Sequence, residues 1–313
     1  MNAPFEFLKF FAGRLRGANI RFAITSGMAC VHYGLQQTTK DSDWIIAPEH
    51  VDHLRESLLA LEAERPAWRV SYRPIFGAPL ETFYLGKGWT SHLLLTDATG
   101  LEHKVDFFGK PPRVRVVVND PQDPDFADRD VVAQMKRTDR PRDWPIVDGL
   151  GWQLLREAPA HALVHVQDPI KLLACWEDAA PAARENALRR RPLLRLLTSE
   201  NDPDRLDGYL RLERLVWECV NDDRHALYTK AWKTFYRAWQ TEPDFSWPVT
   251  ESFAAQQKRV GSAAHRCGLL ADPLSSFGRE AVLQKALARA VIKGQTTHEK
   301  LAQVQPPMTE LLP

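Results

Sequence analysis

The feature that most constrains this chain is a change of period part-way along it. From Trp68 to Asn119 it reads as short β-prone runs separated by turn residues. Beyond the Pro/Asp-rich stretch Asp120–Asp125 it reads in helical period almost to its end. The runs Trp68–Tyr72, Thr82–Leu85, Ser91–Thr96, His103–Phe108 and Val114–Val118 are the expected strands, with Asp97-Ala98-Thr99-Gly100 as a hairpin turn. Upstream, Phe5, Leu8, Phe11 and Leu15 space a helix over 4–16, followed by a strand over Ile20–Ile24 and a helix Met28–Tyr33 closed by Gly34. A strand at Trp44-Ile45-Ile46 and a helix from Pro48 to Glu64, with Val51, Leu54, Leu58 and Leu61 on one face, complete that half. Downstream, helices are expected at Val131–Lys136, Ile146–Leu155, Ile170–Trp176, Leu206–Val220, Ala226–Trp239 and Arg279–Ile292, with a frayed or extended tail over Gln303–Pro313. This order predicts an α+β chain: a mixed sheet with flanking helices over 1–150, then a mainly helical domain over 151–313.

Composition narrows the class of function. Forty-one Lys and Arg against 40 Asp and Glu leave a net charge of +1, so any nucleic-acid surface must be local. Cys30, Cys175, Cys219 and Cys267 form no CxxC pair, which argues for free thiols in a reducing compartment and against a zinc module. No apolar run approaches the roughly 20 residues of a membrane span, and Glu6 and Lys9 interrupt the N-terminal Met1–Phe11 segment. A cytoplasmic location without a membrane partner is the expectation.

The chemistry concentrates between Ile24 and Trp44. Thr25-Ser26-Gly27 is a small-residue turn between a strand and a helix, where backbone N–H groups can approach phosphate closely. Asp41 and Asp43 stand at i and i+2, so a strand continuing through Trp44 turns both carboxylates to one face. Two adjacent carboxylates repel unless a hard cation lies between them, and Mg²⁺ (or Mn²⁺) with substrate phosphates is the natural occupant. Asp106, in Lys104-Val105-Asp106-Phe107-Phe108, supplies a third acid on another strand.

Taken in order, Ser26-Gly27, Gly34, Thr39, Asp41, Asp43 and Asp106 resemble the pattern of the minimal nucleotidyltransferase (polymerase-beta-like) superfamily, in its AbiEii-like toxin branch. The resemblance spans roughly residues 20–150. It implies a nucleotidyltransferase-type sheet, metal held by Asp41, Asp43 and Asp106, phosphate cradled by Ser26 and Gly27, and a toxin-like or defence role. It also implies that Lys136 contacts NTP phosphate and that Asp143 orients Lys136. Ser26-Gly27 reverses the commoner Gly-Ser order, and Gln37 stands where many relatives carry Arg.

Plainer readings stand beside these. Alone, Asp41 and Asp43 read as turn residues before a strand; the upstream turn and Asp106 together make them a site. Lys136, Arg137, Arg140 and Arg142 read as a solvated face, Arg189-Arg190-Arg191 as a helix end, and Gly86-Lys87-Gly88 as a turn. His92, His161 and His165 have no metal-ligand spacing, and the tryptophans read as packing residues. The leading expectation is transfer of an NMP group from an NTP to an acceptor hydroxyl on an RNA end, a protein or a small molecule. The alternatives are a catalytically inactive member that binds a nucleotide or protein partner, and a nucleic-acid-binding module using the arginine clusters.

Overall fold

The computed structural model describes residues 3–313; Met1 and Asn2, part of the N-terminal reading, lie outside the described residues. Five strands, β1 (Phe22–Thr25), β2 (Asp41–Ile46), β3 (Arg69–Tyr72), β4 (Thr90–Thr96) and β5 (Glu102–Phe108), form one sheet in the order β1-β2-β5-β4-β3. The β2–β5 pair is parallel and the others are antiparallel, so the sheet is mixed and the protein is α+β. Interleaved with the strands are α1 (Ala3–Gly17), α2 (Ser26–His32), α3 (Val51–Glu64) and the single turn α4 (Thr82–Leu85).

After β5 the regular structure is helical: α5 (Arg129–Lys136), α6 (Trp144–Gln153), α7 (Pro159–His165), α8 (Pro169–Asp178) and α9 (Pro181–Arg190). Then follow α10 (Pro203–Gln240), α11 (Phe253–Arg266), α12 (Pro273–Phe277), α13 (Arg279–Lys293), α14 (His298–Val304) and α15 (Met308–Leu311). None of the described helices is long and apolar enough to cross a membrane.

One face of the sheet is dry. Trp44, Leu93, Leu95, Val105 and Phe107 are fully buried on it, and Phe11 of α1 meets Trp44 edge-on at 5.1 Å between ring centres. Val51, Leu54, Leu58 and Leu61 of α3 are likewise fully buried. Each such side chain contributes about 1.5–3 kcal/mol on leaving water, which fixes which face of β2 and β5 points inward. The acidic residues are thereby turned to the other face.

Several segments depart from their local propensity, each because a tertiary partner is already taken. Thr82–Leu85 is a helical turn rather than a strand, because no sheet edge is open to it. The outer edge of β3 is capped by Gln256 of α11, which accepts from Tyr72 N at 2.9 Å and donates to Val70 O at 3.3 Å. The outer edge of β1 is closed by the segment around Phe126, through Ile24 N to Asp125 O and Ala127 N to Ile24 O, both 2.8 Å. Val114–Val118 therefore finds no strand to pair with, and Val116 stays 68% exposed.

The expected break near residue 221 is absent: α10 runs unbroken for 38 residues. Asn and Asp disturb helices by competing for their own backbone. Here Asn221 bonds Arg113 and the Arg137 carbonyl instead, while Asp222 and Asp223 pair with Arg289. The C-terminal tail is not frayed either. Leu311 and Leu312 are buried, and buried Glu310 accepts from Arg190 and Arg115. The arginine run is likewise more than a helix end: Arg191 is buried against Glu213 at 2.7 Å and donates to the carbonyls of Leu163 and Val166.

Candidate functional site

The site grows out of sheet register. Thr25 of β1 is the pairing partner of Asp43 in β2, Asp43 of Asp106 in β5, and Asp106 of His92 in β4. Arg73, just past β3, continues the row by donating its N–H to the His92 carbonyl at 3.0 Å. Partners in register share a face, so Thr25, Asp43, Asp106 and His92 form a polar row across the sheet, on the side away from α1 and α3. Asp41 lies two residues from Asp43 on that same face. The three predicted aspartates are therefore together.

Their environment is charged and only half-buried. Arg73 Nη1 donates to Asp106 Oδ1 at 3.1 Å, and His92 Nδ1 lies 2.7 Å from the same oxygen, off the line of a hydrogen bond. Burial, then the Asp106 charge, pushes the Asp43 carboxyl up to about 7; Asp41 adds to this, while Lys136 and His92 oppose it. Thr25 Oγ1, Asp41 Oδ1 and His92 Nδ1 are buried and have no hydrogen-bond partner. A buried orphaned polar atom costs about 1–3 kcal/mol, and three of them gather around Asp43.

The downstream residues reach the same place. Lys136 and Arg137 are not a solvated face: both are buried. Lys136 Nζ lies 3.7 Å from Asp143 Oδ1, and its charge acts on Asp43 and on the buried Cys30 thiol. Burial first, with Asp143 and Asp43 adding, pushes that thiol up to about 11, so Cys30 is an inert packing residue. Asp143 also accepts from Thr138 Oγ1 at 2.6 Å and from Arg140. It thus ties Lys136 to the loop that follows it. Arg137 turns away, donating to Val164 O and His165 and lying over Trp217.

Ser26 and Gly27 open α2 immediately after Thr25. Ser26 holds φ +55, a left-handed conformation that non-glycine residues adopt at a cost of order 1–3 kcal/mol and that gathers at functional turns. Gly27 is needed for space, since a Cβ there would stand 2.5 Å from Thr39 Oγ1. That contact presses the turn against the segment leading into Asp41. Gln37, where an Arg was expected from the resemblance, lies in the same connection, exposed.

Among the described residues, no three His, Cys, Asp or Glu side chains already stand in metal-ligating geometry. The donors nevertheless suit a hard divalent cation: all are carboxylate oxygens, Asp41 Oδ1 is buried without a partner, and the Arg73 and His92 contacts to Asp106 both fall on Oδ1 rather than Oδ2.

Arg73, His92 and Thr25 escaped the sequence reading. His92 was within reach of it. A hairpin turning about Thr99 pairs residues whose numbers sum to 198, which sets His92 opposite Asp106. Arg73 carried no such signal, because it lies outside any regular strand. No protein-family model and no curated protein matches the chain.

Proposed function

We propose that this protein is a Mg²⁺-dependent (or Mn²⁺-dependent) nucleotidyltransferase of the cytoplasm. It would move an NMP group from an NTP to an acceptor hydroxyl on an RNA end, a protein or a small molecule. The observation that carries this reading is the register of Asp43 with Asp106 on adjacent parallel strands, with the orphaned Asp41 oxygen on the same face. Asp41 and Asp43 would hold the ion, with Asp106 completing the set. A divalent cation supplies charge neutralisation for the phosphates and an oxygen clamp for in-line displacement. Lys136, held by Asp143, is a compact charge for a phosphate oxygen, and the Ser26-Gly27 turn offers backbone N–H groups to another. Alternatively, Asp106, between Arg73 and His92, would accept the proton of the attacking hydroxyl.

The test is incorporation of label from each α-³²P NTP in the presence of Mg²⁺, wild type against Asp41→Ala/Asp43→Ala. Loss of incorporation by about 10³-fold or more in the variant is expected. Equal labelling of the two proteins sinks the proposal.

A second reading rests on the Arg73 and His92 contacts to Asp106. Arg73 already compensates this acid and His92 stands against it, as in a protein that keeps the nucleotide fold to bind a nucleotide or a protein partner without catalysis. Saturable NTP binding with no transfer under any divalent metal would favour it.

A further inference from the structure

A second cavity, of about 280 Å³, lies beyond the carboxyl end of β5, and none of the residues of the acidic row lines it. Lys87, Lys110, Arg113, Arg224 and Arg279 line it, against a single side-chain carboxylate, Asp272. That carboxylate is already engaged as the cap of α12, accepting from Ser275 N at 2.9 Å. Among the described residues none of the five cations is ion-paired. Arg113 donates to Asn221 Oδ1 and to the carbonyls of Gln134 and Met135, and Arg224 donates to the Gly88 carbonyl. For a chain of net charge +1, five unpaired cations around one small cavity are a marked local excess.

The fold holds these charges together against their own repulsion. Burial, and then the charges of Arg279, Lys87 and Arg224, lower the Lys110 ammonium from its usual range. Arg113 holds φ +67, so the backbone itself is strained where its side chain enters. Gly88 holds φ +87, and a Cβ there would stand 2.9 Å from both Arg224 Nη2 and Tyr228 Oη. The Gly86-Lys87-Gly88 turn is thus pressed directly onto the arginine.

We propose that this cavity is a binding site for a di- or triphosphate group, with Arg113 and Arg224 as its half-buried floor and Lys87 and Lys110 at its exposed rim. Guanidinium forks match phosphate oxygens two at a time, and the lysines add point charge. The charge excess calls for a ligand carrying several negative charges rather than one carboxylate. The cavity shares Arg113, Arg224 and Tyr228 with a larger one of about 510 Å³, whose wall includes Thr90, Thr138 and Asp139. Those three residues are chain neighbours of His92 and Lys136, so a ligand anchored by its phosphates can extend toward the acidic row. The phosphates can belong to a free polyphosphate compound or to the 5′ end of an RNA. The site stands whether or not the protein transfers nucleotides.

Calorimetric titration with tripolyphosphate in EDTA tests the proposal without engaging the acidic row through metal. The wild type is expected to bind saturably, and Lys87→Glu/Lys110→Glu, at two exposed positions, to weaken binding by about tenfold or more. Arg279→Lys, which keeps the charge, retains most of the affinity, and Asp41→Ala/Asp43→Ala binds as the wild type does. Matched short RNAs with 5′-triphosphate or 5′-hydroxyl ends identify the source: a preference for the triphosphate end assigns the site to RNA, and equal affinity assigns it to the free compound. Absence of saturable tripolyphosphate binding up to ~10 mM overturns the site, as does binding that the double glutamate variant leaves unchanged. Failure of NTP incorporation with this binding intact would overturn the transferase reading alone.

Discussion

Asp43 carries a free-energy cost that its neighbours impose. Its native carboxyl, pushed up to about 7, resists ionising, whereas the unfolded chain ionises near the ordinary value of 3.8. For a group shifted in this direction, stability is fully present below the unfolded pKa and is lost as pH rises through the folded one. Asp43→Asn should therefore gain little at pH 4 and up to about 4 kcal/mol at pH 8, with the gain growing across the interval up to 7. Denaturant titrations at four pH values measure this, and a gain that does not change with pH contradicts it. Added Mg²⁺ should stabilise the wild type and not the variant. Gly27 makes a different demand, for space rather than charge. Gly27→Ala drives a methyl group to 2.5 Å from Thr39 Oγ1 and should cost about 1–3 kcal/mol, most of it recovered in the double variant with Thr39→Ala. A double variant no more stable than the single one would place the strain elsewhere.

At the scale of elements, the sheet's outer strand depends on a helix far along the chain. Gln256, almost wholly buried, satisfies the backbone of β3 from both ends of its side-chain amide. An open strand edge is a template for association. Gln256→Ala should cost about 1–3 kcal/mol by orphaning Tyr72 N, and should raise light scattering on heating. Unchanged stability with no added scattering would mean that water replaces the amide without loss. The same element-level logic explains the long α10, whose central Asn221, Asp222 and Asp223 are turned from helix breakers into bridges by Arg113 and Arg289.

For the whole molecule, the sheet and the helices after it share interior surface. α11 lies on α3 and β3, Phe253 N donates to Glu62, and Trp89 Nε1 donates to the carbonyls of Leu270 and Ala271. Residues 1–150 expressed alone should therefore show no cooperative thermal transition, since they lose the cover of β3, α3 and Trp89 together. A sigmoidal melt of that fragment, with native-like near-ultraviolet dichroism, would show that the sheet folds without the helices.

Much of the sheet and of the acidic row was legible in the residues themselves. Alternation in β2, β4 and β5 decided which side chains face inward, because burying Trp44, Leu93 and Phe107 leaves Asp43, His92 and Asp106 no other side. The i, i+2 spacing of Asp41 and Asp43 is local geometry, and it survives any tertiary arrangement that keeps the strand. What the residues alone left open was partnership. Nothing local says that Arg73 meets Asp106, or that five cations from four separate segments line one cavity. Nor does local propensity know that both sheet edges are already occupied, which keeps Val114–Val118 out of the sheet and makes Thr82–Leu85 a helical turn. Those outcomes depend on contacts between residues tens to hundreds of positions apart. Their energies exist only once the chain has closed, and there they override preferences of a few tenths of a kcal/mol per residue.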